Sequence, residues 1–274
     1  MSNNILFIFE GESTEKKIVK SLQTNFLNEN LVGNTIIKCS FGTEIYQLYK
    51  KLQEDPDLDT FNLVRDISLH NRDLLNNYTR KDFAEIYLFF DYDGQSSLAS
   101  PIDKAGNVVE SGDEKIKKML VFFNNETDKG KLYLSYPMVE AIKHISDYAT
   151  FYNVKAKSKG RNCVDFGNCK HSNFCIEGAR YKQLVSRECL KGLNNFNKYS
   201  NDIWKQLIRA HIYKMNYIVN ESYSYPTKSE SQYTIFENQL NKYICKECHF
   251  VSVLSAFPIF VHDYFGNKKT IELI

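Results

Sequence analysis

Long apolar runs are missing from this chain. None reaches the roughly 18 residues that a membrane helix needs, so no membrane-spanning helix is expected. A secretion signal is not expected either, because Glu10 and Glu12 cut the first apolar run to five residues. An excess of one charge is also missing: 35 Lys and Arg stand against 33 Asp and Glu, a formal net charge of +2. That excludes a global basic footprint for nucleic acid, and any such surface has to be a local patch. The seven cysteines are odd in number and irregularly spaced. This argues against a secreted disulfide framework and for reduced thiols in a cytoplasmic protein. The chain has no G-x-x-x-x-G-K-[ST] phosphate loop, no clear repeat and no low-complexity tract. An ATPase of that phosphate-loop type is therefore not expected within this sequence.

What is present is an ordinary globular composition on 274 residues, enough for one large domain or two small ones. Two acidic clusters stand out because each ends an apolar run. Ile5-Leu6-Phe7-Ile8-Phe9 leads into Glu10-Gly11-Glu12-Ser13-Thr14-Glu15, and Ile86-Tyr87-Leu88-Phe89-Phe90 leads into Asp91-Tyr92-Asp93-Gly94. Five consecutive apolar residues read as a strand buried on both faces. Parallel strands deliver their following residues to the carboxyl edge of the sheet, where ligands bind. Glu10, Asp91 and Asp93 are thus expected at one edge. Carboxylates gathered there repel unless a hard cation neutralises them, which points to an Mg2+ or Mn2+ site for phosphoryl chemistry. Each cluster has a plainer explanation too. A solvated turn accounts for Asp-x-Asp, and the helix dipole favours acids such as Glu10, Glu12 and Glu15 near a helix start. Their joint occurrence at two strand ends favours the metal site.

The remaining pattern alternates. Strands are expected at 5–9, 35–39, 86–90 and 131–135, and helices at 14–30, 43–53, 56–81 and 113–125, with a further helix starting at Pro137. Ser13 or Thr14 is expected to cap the first helix. An alternating series of this kind predicts an α/β fold, a parallel sheet flanked by helices. From about residue 147 the character changes: 155–178 is irregular, basic and Cys-rich, and helical patterns follow at 180–193, 200–219 and 230–243. The expected division is a catalytic domain over 1–146 and a mostly helical region over 147–274, packed on the first or separate from it.

Strand-Glu-Gly-x-x-x-Glu followed by strand-Asp-x-Asp resembles the Toprim domain. Within that family, Glu10 to Glu15 and Ser135-Tyr136-Pro137-Met138-Val139-Glu140 resemble elements of the OLD-type and RloB-like nucleases. The likeness covers about residues 4–146. It implies that Glu10 acts as metal ligand or general acid/base, that Asp91 and Asp93 hold Mg2+ or Mn2+, and that Glu15 and Glu140 are further ligands or support them. For Glu140 a place on a solvated helix face is the bland alternative. The function implied is metal-dependent cleavage of DNA or RNA, endonucleolytic rather than exonucleolytic, in bacterial anti-phage defence. The rival reading is a non-catalytic Toprim-like scaffold that binds nucleic acid or a partner ATPase.

Two further groups carry chemistry. Cys163, Cys169 and Cys175, with His171 among them, and the distant Cys245-x-x-Cys248 pair, supply thiolates for a structural Zn2+. Buried or incidental cysteines are the commoner outcome at such spacings. Lys155, Lys157, Lys159, Arg161, Arg180 and Lys182, interleaved with aromatics, form the local basic patch expected to bind nucleic acid. A solvated loop explains the same run. Trp204, Tyr213, Tyr217, Phe257, Phe260 and Phe265 read as core or as a surface for homo-oligomer formation.

Overall fold

The computed structural model describes residues 4–27, 35–93, 110–158, 181–246 and 248–274. The apolar runs form a five-stranded sheet: β1 (Asn4–Phe9), β2 (Thr35–Ser40), β3 (Phe83–Asp91), β4 (Asn124–Asn125) and β5 (Gly130–Ser135), in the order β2-β1-β3-β5-β4. β1 pairs in parallel with both β2 and β3. The short edge strand β4 runs antiparallel to β5. The expected α/β sheet is thus present, mostly parallel and one strand wider than the sequence pattern indicates.

The chain divides into two compact units, Met1–Phe90 with Lys118–Tyr133, and Asp91–Lys117 with Leu134–Ile274. In the first unit, Ile5 to Phe9 are all buried, as a strand covered on both faces requires. Phe89 lies 5.1 Å from Phe7 and 5.7 Å from Tyr133, ring centre to ring centre, so aromatic packing ties three strands together. Helices α1 (Thr14–Asn25) and α2 (Ile45–Glu54) bury one apolar stripe each, Ile18, Val19 and Leu22 in α1 and Ile45, Leu48, Tyr49 and Leu52 in α2. Ser13 occupies the cap position of α1 but makes no side-chain cap bond. The segment expected as one helix over 56–81 is broken into α3 (Thr60–Asp66) and α4 (Leu69–Leu75). The break is local: Asp59 accepts from Asn62 N and Ser68 from Asn71 N, and each cap starts its own helix. Helix α5 (Gly112–Phe122) ends before 125, where the chain turns into β4.

In the second unit, the helix expected at Pro137 is absent. After a cis Tyr136–Pro137 bond the chain makes a 3-10 turn over Val139–Lys143. Residues 139–145 are all buried, Glu140, Lys143 and His144 included, so the segment has no exposed face such as a surface helix presents. Lys155–Lys157, the start of the stretch expected to be irregular, is a strand (β6) paired antiparallel with β7 (Phe250–Ser252). Helices α6 (Tyr181–Glu188), α7 (Asn201–Asn220) and α8 (Gln232–Gln239) follow the helical patterns, and a further helix, α9 (Ala256–Leu273), lies where none was expected. Trp204, Phe257 and Phe260 are core, as expected. Among the described residues no helix is long and apolar enough to cross a membrane.

Candidate functional site

Because β1 and β3 are parallel, with Phe9 opposite Phe89, each releases its next residues at the carboxyl edge of the sheet. Glu10 follows β1, and Asp91 ends β3. In the first unit the backbone of Glu10 is fixed on both sides. Its N–H donates to Phe89 O (3.2 Å), and its carbonyl accepts from Gly42 N (3.0 Å). Gly11 is held by Ser40, whose hydroxyl donates to Gly11 O (2.9 Å). The buried Asn71 side chain in turn donates to Ser40 O (2.7 Å) and to Val64 O (2.9 Å). Gly11 N donates to Glu15 Oε1 at 3.2 Å, and the Glu15 side chain is buried against the turn. Glu12 is exposed. The Glu-Gly-x-x-x-Glu spacing therefore folds Glu15 back onto the turn that carries Glu10. Ser40 and Asn71 complete that turn, and sequence alone could not find them because β2 and α4 are far from it in the chain.

In the second unit, Asp91 is half-buried and its Oδ1 accepts from Val139 N at 2.8 Å. The carboxylate thus caps the 3-10 turn that carries Glu140. Asp93 is 3% exposed. Glu140 is buried rather than on a solvated face. Its Oε1 lies 3.3 Å from Lys182 Nζ, and its Oε2 is buried with no hydrogen-bond partner among the described residues. Tyr181 sits in the field of these acids. Burial first, then the charges of Glu140, Asp91 and Glu188, push its hydroxyl well above the usual tyrosine range.

The structure thus links Glu10 to the Glu15 turn, and Asp91 to the Glu140 turn. Among the described residues no three His, Cys, Asp or Glu side chains are gathered into a group able to hold a metal ion. The donor chemistry suits a hard cation nonetheless, since an unsatisfied buried carboxylate oxygen is an acceptor with nothing to accept.

The basic patch divides. Lys155 is exposed, with its ammonium 5.3 Å from the centre of the Tyr243 ring. Lys157 is buried, contrary to its place in a surface patch: its Nζ donates to Cys248 O at 2.6 Å. Alternation along β6 turns Lys155 outward and Ala156 inward, and the Lys157 ammonium is spent on a backbone carbonyl. Lys182 is exposed beside Glu140. Lys159, Arg161 and Arg180 lie outside the described residues, as do Cys163, Cys169, His171 and Cys175 of the zinc set. Cys245 is exposed and Cys248 half-buried. Comparisons with protein-family models, curated proteins and solved structures found no match to this chain.

Proposed function

We propose that the chain is a metal-dependent nuclease of the Toprim type, cleaving phosphodiester bonds of DNA or RNA. The observation that carries this reading is the buried Glu140 carboxylate, with one oxygen unsatisfied among the described residues, on a turn capped by a second carboxylate, Asp91. Lys182 meets one oxygen of this acid, and a hard cation would meet the other. The residues proposed as ligands of Mg2+ or Mn2+ are Glu10 and Glu15 in the first unit, and Asp91, Asp93 and Glu140 in the second. Such an ion supplies Lewis acidity and charge neutralisation at a phosphoryl group. The protein's own part is to hold the acids in place: the Ser40 and Asn71 bonds fix the first turn, and Asp91 fixes the second. The order and spacing of the acidic motifs, shared with Toprim nucleases, support the same reading. A place in anti-phage defence, with a separate ATPase as partner, follows from that resemblance alone.

The test is cleavage of plasmid DNA, single-stranded DNA, tRNA and total RNA with Mg2+ and with Mn2+, beside Glu10→Ala and Asp91→Ala. The expected result is cleavage of one substrate class that stops with EDTA and in both variants. Binding of nucleic acid without cleavage, unchanged in the variants, would overturn the nuclease reading in favour of a scaffold.

A further inference from the structure

The second unit contains a chain of polar groups, buried at Tyr181 and His144 and reaching the surface at Glu188, that the proposed chemistry leaves unused. His144 is 3% exposed. Its Nδ1 lies 3.0 Å from the Tyr181 hydroxyl and its Nε2 3.3 Å from Glu188 Oε2. An ionised carboxylate only accepts, so Nε2 carries the proton and donates to Glu188, and Nδ1 accepts from the Tyr181 O–H. One imidazole ring therefore ties the first residue of α6 to its last. Leu190 N adds a bond to Ile145 O at 2.9 Å just beyond the helix. An eight-residue helix is marginal on its own. The position of α6 is accordingly set by these bonds and by the burial of Tyr181, Leu184 and Val185.

The second residue of α6 is Lys182. Its side chain is 62% exposed, and its ammonium lies 3.3 Å from Glu140 Oε1. An ammonium has three donors, and Glu140 Oε1 takes one. The Glu140 end of the pair is buried while the Lys182 end stays in solvent, with donors left over for a second acceptor.

We propose that Lys182 contacts a phosphate of the nucleic-acid substrate, and that Glu188, His144 and Tyr181 are positioning residues that hold it beside Glu140. The proposal rests on the phosphodiester-cleaving reading and adds to it a phosphate-binding cation and its support. A cation next to a carboxylate at a phosphoryl-transfer site orients the substrate as well as attracting it.

The experiment is equilibrium binding of labelled single-stranded DNA and RNA oligonucleotides in EDTA, where metal-dependent cleavage stops, over a series of salt concentrations. Lys182→Ala is expected to weaken binding and to lower the slope of log affinity against log salt by about one, the signature of one lost phosphate contact. Lys182→Arg is expected to restore the slope. Tyr181→Phe is expected to reproduce part of the affinity loss, and to add nothing in a Lys182→Ala background, because Tyr181 acts through the same ammonium. An unchanged slope in Lys182→Ala, or a Tyr181→Phe loss that persists without Lys182, would overturn the proposal. If the wild-type chain still cleaves in the panel described above, such a result removes Lys182 alone and leaves the nuclease standing. Absence of both binding and cleavage would overturn both.

Discussion

At Gly11 the absence of a Cβ decides the local geometry. A Cβ there would lie 2.9 Å from Glu15 Oε1, the oxygen that accepts from Gly11 N. Gly11→Ala therefore drives the Glu15 carboxylate off the turn. One hydrogen bond of about 1–2 kcal/mol is at stake, so the thermal midpoint should stay near that of wild type while cleavage falls. Melting curves and cleavage rates on the same preparations check this, and a wild-type rate would remove Glu15 from the site. At this scale the sequence was legible where a candidate residue sits at the end of an apolar run: the positions of Glu10 and Asp91 follow because the run fixes the strand and the strand fixes its end. His144, Tyr181 and Glu188 were not legible, because 37 and 44 residues separate the bonded partners and no local pattern encodes a tertiary hydrogen bond. Lys157 was misread for a related reason. A lysine in a basic run looks solvated until the carbonyl it serves, that of Cys248, is brought to it by β7.

Among the elements, most long strands and helices followed from periodicity; α9 (Ala256–Leu273) did not, and the other departures follow from contacts that periodicity does not register. β6 and β7 have three residues each and are strands only because they pair across some ninety residues of chain. The turn at Val139–Lys143 is shaped by burial on every side and by the Asp91 cap. Helix α7 offers the clearest energetic test at this scale. Lys214 is fully buried in it, with Nζ donating to Phe151 O (2.8 Å) and Val154 O (2.5 Å) and lying 4.1 Å from the centre of the Phe151 ring. Burial pushes its ammonium well below the usual lysine range, with the charge of Lys155 adding to the shift. Both carbonyls also accept a backbone N–H, from Val154 and Val253 respectively. Lys214→Met therefore orphans neither acceptor and removes a buried charge while keeping the packed stem. Stability is expected to stay within about 1 kcal/mol of wild type or to rise. Lys214→Ala, which also empties the space of the stem, is expected to cost about 2–5 kcal/mol. Denaturant unfolding of the pair decides it, and an equal loss in both variants would show that the ammonium itself holds the helix.

Over the whole molecule, the buried histidines set how the chain responds to acid. His144, His211 and His262 all belong to the second unit, and burial lowers each below the usual histidine range as the largest cause. For His211 the value falls to about 3, consistent with a neutral ring whose Nδ1 accepts from Ser255 N and whose Nε2 donates to Ile142 O. A histidine with a lowered folded pKa binds its proton more readily when the chain unfolds. Its contribution to stability is complete above the unfolded value near 6.5 and is lost as pH falls from there toward about 3. By pH 5 His211 alone removes about 2 kcal/mol. Among the described residues of the first unit no histidine is buried. Its one histidine, His70, is exposed. Asp66 is held low by its hydrogen bond to Arg65 and Asp82 by the Thr79 N–H, so both lose their contribution only below about pH 4. Glu85, raised by burial, binds a proton more readily folded than unfolded, and its contribution grows on acidification. The second unit is therefore expected to yield first between pH 6.5 and 4.5. Trp204, the single tryptophan of the chain, is buried in α7 of that unit and reports on it alone. In an acid titration its emission should shift at a higher pH than the loss of far-ultraviolet circular dichroism, to which both units contribute. His211→Gln, which keeps a donor and an acceptor without the titration, should move the Trp204 transition to lower pH. Coincident transitions, or a Trp204 midpoint indifferent to His211→Gln, would mean that acid acts on the molecule as one cooperative body through some other group.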